Sequence, residues 1–140
     1  MKILDDYKIS WLGWEFKTYA RKTGFNDGIF DESKGDKRSE VLGLYSRPYA
    51  HAVPGVINYM NYDDHTGKFT LVWTVPPYYS SKGAVISTGK RWHYPKGMMV
   101  KLTPNISSYH ENGDFIYVNN VRRQYAQTIK IEILQVDSYK

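Results

Sequence analysis

The sequence predicts a mainly β protein: an antiparallel β-sandwich preceded by one strand-loop-helix unit. Aromatic residues make up 16% of the 140 residues, with thirteen Tyr and four Trp, and aromatic side chains favour strands. From residue 56 onward, short runs rich in Val, Ile, Tyr and Thr are separated by turn signals, which is typical of an antiparallel sandwich. Ahead of these runs stands a single apolar strand pattern, followed by a loop and a helical pattern.

The strand of the first unit is predicted at residues 8–17, "KISWLGWEFK", where apolar residues occur on both faces. A strand that is covered on both sides is typical of parallel α/β sheets. Residues 18–35 predict a polar loop, with a turn signal at Lys34-Gly35. Because parallel strands need crossover neighbours, this unit cannot bury both faces of its strand alone.

A helix is predicted at residues 37–50, where apolar residues recur at helical spacing. Ser39 is the candidate N-cap, since its hydroxyl can accept a hydrogen bond from the first turn. Pro48 is expected to end or bend the helix, because proline lacks the backbone N–H that the helix interior needs.

The second part of the chain predicts seven short strands joined by turns. "DDHTGK" at residues 63–68 and "HENGD" at residues 110–114 are predicted hairpin turns, the second carrying an Asn-Gly pair. The predicted strands lie at residues 56–62, 68–75, 83–88, 98–103, 106–110, 114–118 and 127–136.

Composition and charge restrict the classes of function. The net charge of +5 permits contact with anionic surfaces such as lipid head groups or sialylated glycans. The basic residues are scattered, unlike the clustered stripe of a nucleic-acid binder, so no nucleic-acid partner is expected. The absence of cysteine excludes disulfides and thiol chemistry. The first residues, "MKILDDYK", lack the apolar run of a signal peptide.

Two short segments carry residues that often bind ligands. Asp63-Asp64-His65 contains metal-ligand types, but Asp and Gly favour turns for backbone reasons, and the four histidines show no zinc-ligand spacing. We therefore expect no metal and no cofactor. "KRWHYPK" at residues 90–96 could stack bases or sugars or touch a membrane, or Trp92 and Tyr94 could pack on the sandwich core.

Several stretches resemble glycoside hydrolase family 5. "SWLGWEFK" and "TGFNDGIFDE" resemble the eighth strand and following loop of that family's (β/α)8 barrel, and "LYSRPYAHAVPG" resembles the segment that leaves its last helix in endoglycoceramidases. "GKFTLVWTV" and "WHYPKGMMVKLT" are similar to strands of the small β-sandwich that follows the barrel. The resemblance implies that residues 1–50 are the end of the barrel and residues 51–140 the C-terminal sandwich domain.

The resemblance also implies a chemistry. The family hydrolyses β-glycosidic bonds with retention, and its endoglycoceramidases cleave the bond between a glycan and ceramide. Retaining hydrolysis uses two carboxyl groups about 5–5.5 Å apart, which this family carries on barrel strands four and seven. By resemblance, neither catalytic glutamate is in this chain, which alone would be inactive. A glycolipid or another β-glucoside would then be bound by a longer enzyme, secreted or lysosomal, whose targeting signal lies upstream.

By resemblance, this chain contains one aromatic position of the family's active site. In the family, a tryptophan at the end of strand eight lies under the sugar at the cleavage point, and Trp14 matches it best, with Trp11 as the adjacent candidate. Core packing against a helix is the other explanation for both side chains. A second hypothesis for the whole chain is a non-catalytic module that binds glycans or membrane surfaces.

Overall fold

The computed structural model describes residues 3, 6–7, 9, 28–31, 35–78, 83–104, 108–119 and 124–136, and the fold is built mainly from antiparallel strands. The predicted mainly β class is therefore confirmed. Of the strand predicted at residues 8–17 only Ile9 is described, which is 54% exposed and not part of a strand; the rest lies outside the described residues, and the assignment of residues 1–50 to a barrel stays a prediction. No helix in the described part of the chain is long and apolar enough to cross a membrane.

Residues 10–46 form a separate compact unit. Its described elements are two short strands that pair antiparallel, β1 (Phe30–Asp31) and β2 (Asp36–Lys37), and one helix, α1 (Ser39–Tyr45). The turn between the strands contains Gly35, whose φ of 66° lies in the left-handed region that glycine adopts without steric cost. The predicted loop at residues 18–35 thus ends in a small hairpin.

The helix α1 is shorter than predicted, and its start differs. Ser39 is already the first helical residue and Arg38 occupies the N-cap, where its side chain bonds Glu40 Oε1 at 3.1 Å and caps no backbone N–H, so the capping role predicted for Ser39 is wrong. The helix ends at Tyr45, where the backbone N–H of Ser46 donates to the carbonyl of Leu42. Pro48 favours extended backbone before it, which explains why the chain after the helix enters a strand.

The remaining described strands form two four-stranded antiparallel sheets. Sheet I has the order β4-β5-β10-β7 and sheet II the order β3-β6-β9-β8, and one short helix, α2 (Lys90–His93), connects β6 to β7. The strands are β3 (Tyr49–Ala52), β4 (Val56–Asp63), β5 (Lys68–Val75), β6 (Ala84–Ser87), β7 (Met98–Thr103), β8 (Tyr109–Asn112), β9 (Phe115–Val118) and β10 (Gln127–Gln135).

The inner faces of the two sheets supply the core. Along β5, β6, β9 and β10 buried residues alternate with partly exposed ones, as expected where only one face of each strand is covered. The largest buried side chain is that of Trp73. The described fully buried aliphatic and aromatic residues of the core are Phe69, Leu71, Trp73, Ile86, Tyr94, Ile116, Val118, Ile129, Ile131 and Ile133.

Both predicted hairpins are confirmed. At the first, the Asp63 carboxylate accepts a hydrogen bond from the His65 backbone N–H at 3.0 Å, so the cluster of Asp and His serves the turn. Hydrogen bonds from the Thr66 side chain and the His65 backbone hold the pKa of Asp63 below its usual value. At the second, Gly113 has a φ of 59° at the first central position of the loop between β8 and β9.

Each of the seven predicted strand segments overlaps a strand of the sandwich, and the described strands that the prediction missed are the short β1 and β2 and, in the sandwich, β3. Its residues were assigned to the end of the predicted helix and the following loop. It pairs with β6, with a register shift between Ala50 and Ala52. The missed strand is important, because it supplies part of the surface described next.

Candidate functional site

The outer face of sheet II carries a series of rings. In β9 the sequence Phe-Ile-Tyr-Val buries Ile116 and Val118 in the core, so strand alternation turns Phe115 and Tyr117 outward. The edge strand β8 pairs His110 with Tyr117, and β3 contributes Tyr49. The register shift in β3 falls at His51, whose ring packs against Phe115 rather than against the core.

The five rings form a continuous row, which we call the ring row. Successive ring centroids lie 5.0–6.4 Å apart. At one end His110 stacks on Tyr117 with an interplanar angle of 8°, while at the middle His51 meets Phe115 edge to face. In order across the sheet the row consists of Tyr49, His51, Phe115, Tyr117 and His110.

A groove of about 430 Å³ lies where the row ends at Tyr117 and His110. Its volume is within the range of about 300–1,000 Å³ that small-ligand sites occupy. Gly83 forms part of the groove wall. Its backbone lies so close to the carbonyl oxygen of Val118 that a Cβ at this position would overlap that oxygen. The other lining residues are Ala52, Val53, Pro54, Ala84, Val85, Val118 and Asn119.

The described lining of the ring row and the groove is neutral apart from its two imidazoles. Among the described residues, none that forms the row or lines the groove is Asp, Glu, Lys or Arg. The nearest charged pair that involves β8 joins Lys90 Nζ to Glu111 Oε2 at 2.9 Å. The polar atoms of the site are therefore the imidazoles, the phenol hydroxyls and the Asn119 amide, whose nitrogen donates to Ser108 Oγ at 3.0 Å.

A second cluster lies beside α2. The Tyr62 hydroxyl makes a 2.9 Å hydrogen bond with His93 Nδ1, and the two rings pack edge to face. Burial, followed by the charges of Asp64 and Asp63, raises the pKa of Tyr62, and burial with the nearby Tyr62 raises that of Tyr94. Both phenols therefore stay neutral near pH 7, and the hydrogen bond between Tyr62 and His93 connects sheet I to α2.

The two aromatic side chains of the basic segment at residues 90–96 differ in how deeply they are buried. Tyr94 is fully buried in the core, as the packing alternative predicted. Trp92 is 37% exposed on α2, and the Arg91 guanidinium lies 5.6 Å from the centroid of its ring. Lys96 is exposed on the same segment. Trp92 is thus an exposed indole among cations, and the packing alternative is wrong for this residue.

The two predicted substrate-binding residues, Trp14 and Trp11, lie outside the described residues, so their role stays a prediction. Within the described ranges no group of three or more His, Asp or Glu could hold a metal ion. The ring row was missed, because β3, which was not predicted, is distant in sequence from the hairpin of β8 and β9. The spacing of Tyr49 and His51, and of Phe115 and Tyr117, at two-residue intervals was the available signal.

Comparison with known proteins identifies the sandwich. Residues 47–133 match the glycoside hydrolase family 5 C-terminal domain. An endoglycoceramidase of Hydra vulgaris is 31% identical over 122 residues, which are 86% of this chain and 23% of that protein. This chain therefore spans less than a quarter of that relative's length.

Solved structures show the same fold. Endo-glycoceramidase II from Rhodococcus sp., solved as a ganglioside GM3 complex, matches with a TM-score of 0.56 and 12% identity over 79% of this chain and 22% of that one. Cryptococcus neoformans sterylglucosidase 1 matches with a TM-score of 0.54 and 14% identity over 72% of this chain and 15% of that one. The chain thus belongs to the glycoside hydrolase family 5 C-terminal domain family and is endoglycoceramidase-like.

Proposed function

We propose that this chain is the C-terminal part of a retaining glycoside hydrolase that acts on the β-glycosidic bonds of glycosphingolipids. The observation that carries the proposal is its 31% identity, over 86% of its length, to the Hydra vulgaris endoglycoceramidase. The ganglioside complex of the structurally similar Rhodococcus enzyme supports a glycolipid substrate. A secreted or lysosomal location belongs to the same proposal.

In this proposal the sandwich supports the catalytic barrel and its active-site face. A two-sheet body with a continuous buried core, centred on Trp73 and the isoleucines of β10, is rigid enough to hold a neighbouring domain. Trp14 is the proposed sugar platform, with Trp11 as the alternative. A flat indole packs on the apolar C–H face of a pyranose and leaves the hydroxyl groups free.

The test compares this chain with a longer protein that carries it. Each is incubated with a glycosphingolipid, and the released oligosaccharide is measured. We expect release by the longer protein and none by the chain alone, because the reaction requires a positioned acid and a nucleophile. Turnover by the chain alone would contradict the proposal that the catalytic pair lies upstream.

The role of Trp14 is tested in the longer protein with Trp14→Ala, and with Trp11→Ala as the matched variant. If Trp14 contacts the sugar, kcat/KM falls by about tenfold or more, since a ring contact contributes about 0.5–1.5 kcal/mol beyond its buried area. Trp11→Ala then has a smaller effect on kcat/KM. The reverse order would assign the platform to Trp11, and equal loss of folded protein in both variants would assign both residues to packing.

A second candidate function, contact with a membrane surface, is favoured by the exposure of Trp92 beside Arg91. An indole with flanking cations suits the interface between water and lipid head groups. Vesicles containing phosphatidylserine are expected to sediment the chain, and Trp92→Ala is expected to reduce the bound fraction. Tyr125→Ala is the control, because Tyr125 is 79% exposed but lies outside this segment. Equal binding by both variants would reject contact through Trp92.

A further inference from the structure

We propose that the ring row and the adjoining groove form a binding site for a neutral oligosaccharide of flat, β-linked pyranose units. This site would be separate from the hydrolytic centre and would lie wholly within the sandwich. The inference goes beyond the proposed hydrolase function and does not depend on it, since binding by this chain requires no catalytic residue.

The first argument is that the sandwich does not need these rings for its own core. The inner face of β9 already supplies Ile116 and Val118, which are buried. The rings point to the opposite side of sheet II, where Tyr49 is 39% exposed and both imidazoles are exposed. Phe115 and Tyr117, which lie between them, are partly exposed. A contiguous set of accessible rings marks a recognition surface, whereas single exposed apolar residues are ordinary.

The second argument is geometric. A pyranose with equatorial hydroxyl groups presents a flat C–H face to an aromatic ring and leaves its polar edge free. The row places ring centroids 5.0–6.4 Å apart across the sheet, so an extended oligosaccharide can meet several rings in turn. Neighbouring ring planes are inclined by 53–67° along most of the row, and only His110 and Tyr117 stack, at 8°. Linked pyranose units, which can turn about each glycosidic bond, can follow such a change of plane from ring to ring.

The third argument is chemical. The row alternates aromatic planes with imidazole nitrogens and phenol hydroxyls, which can hydrogen-bond the equatorial hydroxyls of a sugar. At the groove end, His110, Tyr117 and Asn119 bring three such polar groups to a cavity of about 430 Å³. Because the part of the lining that the structure describes carries no Asp, Glu, Lys or Arg, a neutral sugar fits it better than an anionic one.

The experiment titrates the isotope-labelled 140-residue chain with cellotetraose, a β-linked glucose oligomer, and follows its backbone amide signals by NMR. We expect saturable shifts confined to β3, β8, β9 and the groove residues. Tyr117→Ala and His110→Ala are each expected to weaken binding by about tenfold, whereas Tyr117→Phe keeps the stacking plane and is expected to retain most of it.

The matched control is Tyr59→Ala, because Tyr59 is 50% exposed on β4 of sheet I, away from the row. It is expected to leave the affinity unchanged. His110 is exposed, so His110→Ala tests the site even if Tyr117→Ala lowers the stability of the fold.

Three results would overturn the inference. The first is the absence of shifts with cellotetraose, lactose and sialyllactose at millimolar concentration. The second is shifts that map outside the row and groove, or that survive His110→Ala unchanged. The third is shifts of the row produced by phosphatidylcholine vesicles, or by raising the protein concentration, but not by sugar, which would assign the surface to a lipid or to a second copy of the chain.

Discussion

The two sheets of the sandwich have similar inner faces and very different outer faces. On the outer face of sheet I, the Glu132 carboxylate accepts bonds from Lys68 and Lys130 at 2.6 and 3.0 Å. Beside it the Thr74 hydroxyl bonds Asn58 and Thr128 at 3.0 and 3.2 Å. On the outer face of sheet II the corresponding positions carry the ring row.

The outer face of sheet I carries side chains that keep a sheet soluble, whereas the outer face of sheet II carries side chains that can contact a ligand. Charged and hydroxyl side chains on sheet I satisfy one another across strands, and the exposed apolar side chains of this sheet, Val56, Tyr59 and Met99, form no ring contacts with one another that the structure records. Exposed rings on sheet II contribute less to folding, because they stay in contact with water. The inner faces therefore explain why the domain folds, and the outer face of sheet II indicates where it recognises a ligand.

The largest expected effect tests whether the inner faces of the two sheets contribute equally to the free energy of unfolding. Ile131→Ala in sheet I and Ile116→Ala in sheet II each remove a fully buried side chain. Each is expected to lower the free energy of unfolding by about 2–5 kcal/mol, from the lost burial and the cavity left behind. Urea unfolding measures both variants. A loss of well under 1 kcal/mol in one of them would show that its sheet contributes little to the core.

The next effect tests the close backbone approach that shapes the groove. In Gly83→Ala the new Cβ would overlap the carbonyl oxygen of Val118, so β6 and β9 must separate locally. We expect a loss of about 1–3 kcal/mol by urea unfolding. Gly43→Ala in α1 is the control, because a Cβ there meets no atom within 4 Å. Equal stability of the two variants would contradict the close approach.

A smaller effect is expected on the outer face of sheet I. Hydrogen bonds from Lys68 and then Lys130 lower the pKa of Glu132 from 4.5 to about 2. Because the folded pKa is the lower one, the stabilisation is present above pH 4.5 and is lost as the pH falls towards 2. Glu132→Gln is expected to cost about 0.5–1 kcal/mol near neutral pH.

The contribution of the Glu132 charge is tested by measuring the free energy of unfolding across this pH range, for Glu132→Gln and for the unsubstituted chain. The difference between the two proteins should shrink below pH 4.5 and nearly vanish at about pH 2. A difference that stayed constant down to pH 2 would show that the carboxylate charge is not its source.

The smallest expected effect on stability gives the sharpest test of the difference between the inner and outer faces of sheet II. His110→Ala removes an exposed ring of sheet II and is expected to change the free energy of unfolding by no more than about 0.5 kcal/mol. The same substitution is expected to weaken oligosaccharide binding. A stability loss of about 2 kcal/mol would instead make the stacked pair of His110 and Tyr117 a structural element.

The sequence predicted the sandwich because its strands alternate strongly, as in β5 and β10, and its turns carry Gly and Asp. It did not predict β3, because Tyr49 and Ala50 follow a helical pattern and their strand identity comes only from pairing with β6. The ring row depends on that pairing and on the register of β8 with β9. The β8–β9 register is set locally by a predicted hairpin, but local patterns do not encode the long-range pairing of β3 with β6, so the complete row could not be inferred from them.

The position of β10 sets the order in which the domain can be completed during synthesis. This strand lies between β5 and β7 in sheet I and hydrogen-bonds to both, yet it is the last described strand along the chain. Until residues 127–135 leave the ribosome, β5 and β7 each present an unpaired edge, which can pair with other chains. Nascent chains that stall before residue 127 should therefore depend on chaperones, whereas chains released after β10 should close the sheet unaided.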